Sequence, residues 1–492
     1  MTNIPEINIG IVAVSRDCFP VELSERRRNA VIESCNKNDI PIKKIETIIE
    51  NENDCLQALK ELEQKNVNTL VIYLGNFGPE GPTTILAQKF NGPVMITAAA
   101  EDSGNDLING RGDAYCGLLS TSYNIGLRRL NPYFPENPVG DPDDIAKLVK
   151  EFIPIARVVI GVKNLKIFSF GPRPFDFLTC HAPIQPLFDL GVEIMENSEL
   201  DLYDIVKAEE GSSEVKAIAK DMANELGKGN TYPDLIEKLA QYEHALEKFM
   251  NANIGTSHFG AFANKCWPAF EKYFGHVPCY LNSRLASRGI PVACEADIYG
   301  ALSEYMAVCA TELPPAILDI NNTVPKNMFE ESKEEIGDYN LSDLWMGFHC
   351  GNTSTSCIVQ PVMQHQLIMH RLMEPDQEPN ITRGTIEGQI KAGNISIFRL
   401  QSTSDADLQA YVANGEVLNI NPKSFGCIGV FAVKEMGRFY RHVLIEKHFP
   451  HHTAVAFAHT GKTLFAAAKM LGVQEVFFNY PKGIYYPTEN PF

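Results

Sequence analysis

The sequence predicts two α/β regions built on parallel sheets, followed by a β-rich, barrel-like C-terminal region. Two observations carry this. Apolar strand-like runs alternate with helix-like stretches through the first three hundred residues, which is the signature of βαβ units. From about residue 383 the pattern changes to short alternating segments separated by Gly, Asn and Asp, which suggests an antiparallel sheet or small barrel. The expected boundaries are 1–155, 156–310 and 311–492. No internal repeat at solenoid periods is found.

Taken in order, residues 7–15 (Ile-Asn-Ile-Gly-Ile-Val-Ala-Val-Ser) read as a buried strand, and an Arg-rich helix follows from Leu23 to Cys35. The segment Ile40–Ile49, a helix near Asp54–Lys65 and strands at Thr69–Leu74 and Val94–Thr97 complete the first series. Parallel sheets bind ligands just past the strand C-termini. Two segments occupy such places, 15–20 and 75–82. After a Pro/Asn/Asp-rich stretch, Asn131–Asp144, a second series opens. It has a strand Lys166–Phe170, then Gly171-Pro172-Arg173-Pro174, and helices at Glu214–Leu226 and Pro233–Phe249. Gly393–Leu400 and Gly426–Val433 are the clearest segments of the β-rich region. A helix Lys462–Leu471 and a strand Glu475–Asn479 finish the chain.

Composition narrows the function. The chain has 492 residues, 45% hydrophobic and 21% charged, so it has ample material for large cores and excludes low-complexity disorder. No apolar run reaches the ~18 residues of a membrane helix, and Met1–Gly10 has no basic n-region, so a soluble cytoplasmic protein is expected. The formal net charge of −18 disfavours a nucleic-acid partner, because the densest basic run is only Arg26-Arg27-Arg28. The twelve cysteines form no CxxC pair and read as reduced thiols.

Three clusters can carry chemistry. In Cys294-Glu295-Ala296-Asp297-Ile298-Tyr299-Gly300, Glu295 stands at a strand end before a helix-like run. The alternative reading is an acid placed at a helix N-terminus. In Pro315-Ala316-Ile317-Leu318-Asp319, four apolar residues lead into Asp319, a second strand-end acid whose alternative reading is an Asx turn or N-cap. The two acids, one helix apart, are expected side by side at one edge of a parallel sheet. In Pro450-His451-His452-Thr453, adjacent histidines on a strand face opposite ways, so one can ligate while the other does not. His349, in Gly347-Phe348-His349-Cys350-Gly351-Asn352, is a further candidate beside its reading as a loop histidine. Two carboxylates and an imidazole suit Mn²⁺, Mg²⁺, Co²⁺ or Zn²⁺. Such a site polarises adjacent sugar oxygens while the acids shuttle protons, giving aldose–ketose isomerisation through an enediol. The same donors can instead activate water for hydrolysis, and a sugar-binding protein without turnover is a further alternative.

Several blocks together resemble the L-fucose isomerase-like proteins, in the superfamily that includes L-arabinose isomerase. They are Lys265-Cys266-Trp267-Pro268, Asn282-Ser283-Arg284-Leu285, Cys294 to Gly300, Leu318-Asp319-Ile320-Asn321-Asn322, and His451-His452-Thr453 through His459-Thr460-Gly461. The resemblance implies Glu295 and Asp319 as metal-binding carboxylates and acid/base pair, and His452 as the metal-binding histidine. The implied ion is Mn²⁺, with Co²⁺ or Mg²⁺ as substitutes. It implies an open-chain monosaccharide substrate, L-fucose-like or otherwise deoxy or modified at C6. It further implies a homo-oligomer, trimer or hexamer, with sites between subunits, closed by Arg16 and the 78–84 loop of a neighbour. His349, Asn352, Arg284 and Trp267 join Arg16 as substrate-binding candidates. An arabinose isomerase has a second Glu where Asp319 stands, and a further His that His349 can match. The family also resembles enzymes interconverting sulfoquinovose and 6-deoxy-6-sulfofructose. A C6 sulfonate needs a cationic cradle, for which Arg16, Arg26–Arg28, Arg173 and Arg284 are available.

Overall fold

The structure, a computed structural model, describes residues 2–105, 107–108, 110–490 and 492. The chain divides into two compact units. One comprises Pro5–Ile160 with Ala466–Gly472, and the other is built mainly from Gly161–Phe465 and Val473–Phe492.

The first unit holds a five-stranded parallel sheet, β1 (Ile9–Val14), β2 (Lys43–Lys44), β3 (Thr69–Leu74), β4 (Val94–Ala99) and β5 (Val139–Gly140), ordered β2-β1-β3-β4-β5. Strands β1, β3 and β4 are buried at every position, which explains their unbroken apolar runs. Helices α1 (Val21–Lys37), α2 (Glu52–Gln64), α3 (Glu80–Lys89) and α4 (Ala114–Leu127) connect them. Asn51 caps α2 through a capping box with Asp54. The expected element over 40–49 is reduced to the two residues of β2, with Ile49 bridging Val14.

The basic run of α1 is neither a surface stripe nor a cradle. Arg28 is fully buried and donates to the Ile45 carbonyl at 2.7 Å. Arg27 is also buried and pairs with Glu101 and Asp102, and Arg26 pairs with Asp102.

The second unit contains two sheets. Strands β6 (Leu165–Phe170), β7 (Glu193–Asn197), β8 (Phe259–Ala263) and β9 (Val292–Ala293) form a parallel sheet ordered β7-β6-β8-β9. Its core joins Phe168, Phe170 and Phe262 to Tyr242, Leu246 and Leu285.

The remaining strands are β10 (Pro315–Asn322), β11 (Leu344–His349), β12 (Ile358–His365), β13 (Arg383–Ile390), β14 (Gly393–Ser402), β15 (Leu408–Leu418), β16 (Cys427–Ala432), β17 (His452–Ala456) and β18 (Glu475–Phe478). Six of them close a ring of antiparallel pairings, β16-β11-β10-β17-β14-β15 and back to β16. Closure removes exposed edges, as in small barrels. Strands β13 and β12 extend the ring from β16, and β18 extends it from β15. Leu318, Trp345, Ile397, Tyr411, Phe431 and Val455 belong to its core.

The expected architecture of parallel α/β sheets and a barrel-like β-rich region is therefore present. One placement is corrected. Asp319 lies on β10, which pairs antiparallel with both neighbours, and not on the parallel sheet that carries Glu295. Four apolar residues before an acid look alike in either kind of strand, so the local pattern could not choose the sheet.

Candidate active site

Alternation along β10 sets the first donor. Ala316, Leu318 and Ile320 pack with the barrel core, and Asp319, between them, takes the opposite face. In the antiparallel register Asp319 stands directly across from His452 on β17. Directly opposed residues hold their Cβ atoms about 5 Å apart, so these side chains meet without any loop to position them.

Glu295 arrives from the other sheet. After the two residues of β9 the chain turns through Cys294–Ala296, with Glu295 at φ 61°, ψ 25° and Ala296 at φ 58°. Two successive non-glycine residues in the left-handed region cost about 1–3 kcal/mol each and persist only when surroundings enforce them. Here Ala296 N–H donates to the Asn264 carbonyl at 2.9 Å and Asp297 N–H to the Cys294 carbonyl at 3.1 Å. The helix Ile298–Thr311 then starts with Asp297, not Glu295, as its N-cap, the carboxylate accepting from Gly300 N–H at 2.8 Å. The turn thus frees Glu295 from a capping role.

His452 is the hub. Its Nε2 lies 3.1 Å from Glu295 Oε2 and 3.5 Å from Asp319 Oδ1. Its Nδ1 is 2.8 Å from Asp297 Oδ2, and Arg399 grips both oxygens of that carboxylate at 2.6 and 2.9 Å. An ionised carboxylate can only accept, so Nδ1 carries a proton. Burial opposes a second one, but the surrounding acids raise the pKa of the ring well above its ordinary value, and a cation held by Glu295 and Asp319 would take the place of the proton on Nε2. Gln401 Oε1 accepts two further bonds from Arg399. Burial opposes the charge on Asp297, but Arg399 and the bond from His452 hold its carboxyl below the usual range. Burial likewise opposes ionisation of Glu295, yet the three nearby histidines, His452 foremost, keep it lowered.

The donors fall into overlapping groups whose atoms lie within 4.8 Å of one another. One is Glu295, His451 and His452; another is Asp319, His349 and His452. Ligand atoms about 2.1 Å from one ion at right angles stand about 3 Å apart, close to the separations around Nε2. Asp319 Oδ1 and His452 Nε2 are also buried with no hydrogen-bond partner among the described residues. Buried polar atoms are rarely left so. An oxygen–oxygen–nitrogen set with orphaned atoms fits a divalent cation, with one carboxylate from each group and His452 common to both. A third group, Cys180, Asp297 and His452, is chemically unsuited. Burial pushes the Cys180 thiol up to about 11, and the Nδ1 that faces it already donates to Asp297.

The other predicted residues divide. His349 lies close, its ring 5.8 Å from that of His452. Its Nδ1 accepts from Cys350 N–H at 3.0 Å, and burial lowers its pKa, which leaves a neutral ring with its proton on Nε2. Asn352 is buried with Oδ1 unpartnered among the described residues. Trp267 packs against Phe175 and Phe177, and Phe177 meets His451 edge-on at 5.6 Å. Arg284 is not brought to the cluster's acids. Its guanidinium is held by Glu243, Asp221 and Glu225, leaving it little capacity for a sugar. Arg16 belongs to the other unit, where it lies over the Phe77 ring at 5.0 Å and 3.9 Å from Glu80.

The sequence alone assigns no role to Asp297, Arg399 or Cys180. Asp297 had the N-cap signal of an acid just before an apolar helix. Arg399 had the signal of a charge inside the apolar run Ile397-Phe398-Arg399-Leu400. A cavity of about 600 Å³ opens beside the cluster, lined by Thr179, His181, Ile320, Gln401, Ser402 and His451 among others.

Comparison with known proteins agrees with this fold. Residues 10–163 match the family described as fucose/sulfoquinovose isomerase, N-terminal domain, and residues 347–477 match L-fucose isomerase, C-terminal domain. A sulfoquinovose isomerase of Priestia aryabhattai is 22% identical over 475 residues, covering 94% of this chain and 97% of that protein. Sulfoquinovose isomerases of Alkalicoccus urumqiensis and Clostridium sp. (strain MSTE9) are 24% and 25% identical, covering 68% and 72% of this chain and 70% and 74% of their own lengths. Matched at both ends by that family's domains and along nearly all its length by one such relative, the chain is a member of the L-fucose isomerase-like family.

Proposed function

We propose that the protein is a Mn²⁺-dependent aldose–ketose isomerase that interconverts sulfoquinovose and 6-deoxy-6-sulfofructose. The observation that carries the chemistry is the approach of Glu295 and Asp319, from two different sheets, to Nε2 of His452, the ring nitrogen that Asp297 leaves free for an ion. What favours the sulfonated sugar over L-fucose or L-arabinose is that the relatives are sulfoquinovose isomerases. A divalent ion held by Glu295, Asp319 and His452 would polarise the O1 and O2 oxygens of an open-chain sugar and acidify the C2–H bond. One carboxylate takes the C2 proton and a proton is returned to C1, with a matching transfer between O2 and O1. Nothing is oxidised overall. His349, neutral and protonated on Nε2, is suited to donate to a sugar oxygen and not to ligate. Asn352 Oδ1 is suited to accept from a hydroxyl. A non-catalytic sugar-binding role is less well supported, because it has no use for orphaned carboxylate and imidazole atoms.

The test is incubation of chelator-stripped protein, with and without restored Mn²⁺, with sulfoquinovose, L-fucose and L-arabinose in heavy water. The expected result is ketose from sulfoquinovose only with metal, carrying deuterium from solvent. Ketose formation that survives metal removal contradicts the metal role. Ketose without deuterium points to hydride transfer and removes the enediol.

We also propose that the chain assembles as a homo-oligomer. Tyr115, Leu119, Tyr123 and Leu127 recur every four residues along α4 and are 66–72% exposed, an apolar stripe of the kind that marks protein contacts. Light scattering is expected to give an assembly that Leu119→Glu with Tyr123→Glu reduces. A wild-type monomer at micromolar concentration contradicts it.

A further inference from the structure

A sulfonated substrate needs a cation at the far end of the site, and the fold leaves one available. The four strands of the central sheet are parallel, so their C-termini share one edge. Glu295 follows β9 there, the segment from Gly171 to Pro183 follows β6, and Lys265 follows β8. Strands β6 and β9 are separated by β8 alone, two interstrand spacings or roughly 10 Å. That span is of the order of an extended six-carbon chain ending in an anion.

The segment after β6 reaches the metal-binding cluster. Cys180 Sγ lies 3.9 Å from Glu295 Oε2, and Thr179 Oγ1 lies 3.5 Å from His451 Nδ1. Phe175 and Phe177 pack on Trp267. Two cationic side chains occur in the segments leaving this edge, Arg173 and Lys265. Lys265 is buried against Glu199 at 3.1 Å. Arg173 has no ion pair among the described residues, and its Nε is buried without a hydrogen-bond partner there. Arg399 and Arg284, also in this unit, are already neutralised, Arg399 by Asp297 and Arg284 by its three acids.

We propose that Arg173 recognises the C6 sulfonate, its planar fork donating to two sulfonate oxygens. This rests on the sulfoquinovose reading above. Arginine suits the task because its donors match a tetrahedral oxyanion in pairs and its charge does not titrate. The ligand supplies the acceptor that the buried Nε lacks.

The test compares wild type with Arg173→Gln and Arg173→Lys. The ratio of kcat/KM for sulfoquinovose to that for 6-deoxyglucose is expected to fall about 100-fold in Arg173→Gln, and by less in Arg173→Lys, which keeps the charge but loses the fork. Binding of non-isomerisable alditols by calorimetry separates this inference from the isomerase reading. Wild type is expected to bind 6-deoxy-6-sulfoglucitol more tightly than 6-deoxyglucitol, and Arg173→Gln to lose that preference. If wild type makes no ketose yet binds the sulfonated alditol through Arg173, the isomerase reading fails and the assignment of Arg173 stands. If wild type isomerises sulfoquinovose and Arg173→Gln keeps the preference, the assignment fails and the isomerase reading stands. No preference of wild type for the sulfonated alditol overturns the assignment. Melting curves of both variants check that they fold.

Discussion

Replacing Glu295 by Gln, or Asp319 by Asn, is expected to lower kcat by at least about a thousandfold while leaving a folded protein. General acid–base transfer by a positioned carboxylate is worth 10²–10⁴-fold, and each substitution also removes a charged donor from the cation site. The amides are close in shape to the acids they replace, so packing is kept. Stability without metal is expected to hold, because each change removes a partly buried charge whose partner is meant to be a cation. Steady-state kinetics with saturating Mn²⁺, beside melting curves of the stripped protein, make the check. A variant within tenfold of wild type takes that residue out of the acid/base pair.

The second large effect is expected one step behind the donors. Asp297 and Arg399 are 1% and 0% exposed, a fully buried ion pair whose acid also fixes the His452 tautomer. Asp297→Asn keeps the shape but cannot accept from Arg399 with both atoms. Its amide is also able to donate to Nδ1, which moves the ring proton to Nε2 and blocks the ligand position. Loss of such a supporting carboxylate lowers metal affinity about 10–100-fold. Arg399→Met leaves Asp297 charged and uncompensated in the interior, at a cost of about 3–5 kcal/mol of stability. Titration of Mn²⁺ into Asp297→Asn and denaturant unfolding of Arg399→Met read the two effects. Unchanged affinity in the first shows that His452 does not need Asp297 to present Nε2.

Local pattern made much of the fold legible. The strand Thr69–Leu74 is apolar throughout because both faces are covered, and its observed ends are those expected. The segments expected over Gly393–Leu400 and Gly426–Val433 form the strands Gly393–Ser402 and Cys427–Ala432, buried almost throughout. What local pattern could not supply was pairing. Asp319 and His452 are 133 positions apart in sequence, and only the antiparallel register between β10 and β17 makes them opposites. The same limit hid Arg399, whose acid partner lies on a different element. Arg28 and Arg284 were misjudged for a related reason. A long cationic side chain reads as exposed until the carbonyls and carboxylates that bury it are brought to it by the fold.

Soaking crystals of the protein with Mn²⁺ and recording anomalous scattering at the manganese edge tests the central claim most directly. The account predicts one strong peak in coordination contact with Glu295, Asp319 and His452 Nε2, lost in Asp319→Asn. A peak held instead by Cys180, Asp297 and the other nitrogen of His452, or no peak near His452, contradicts it.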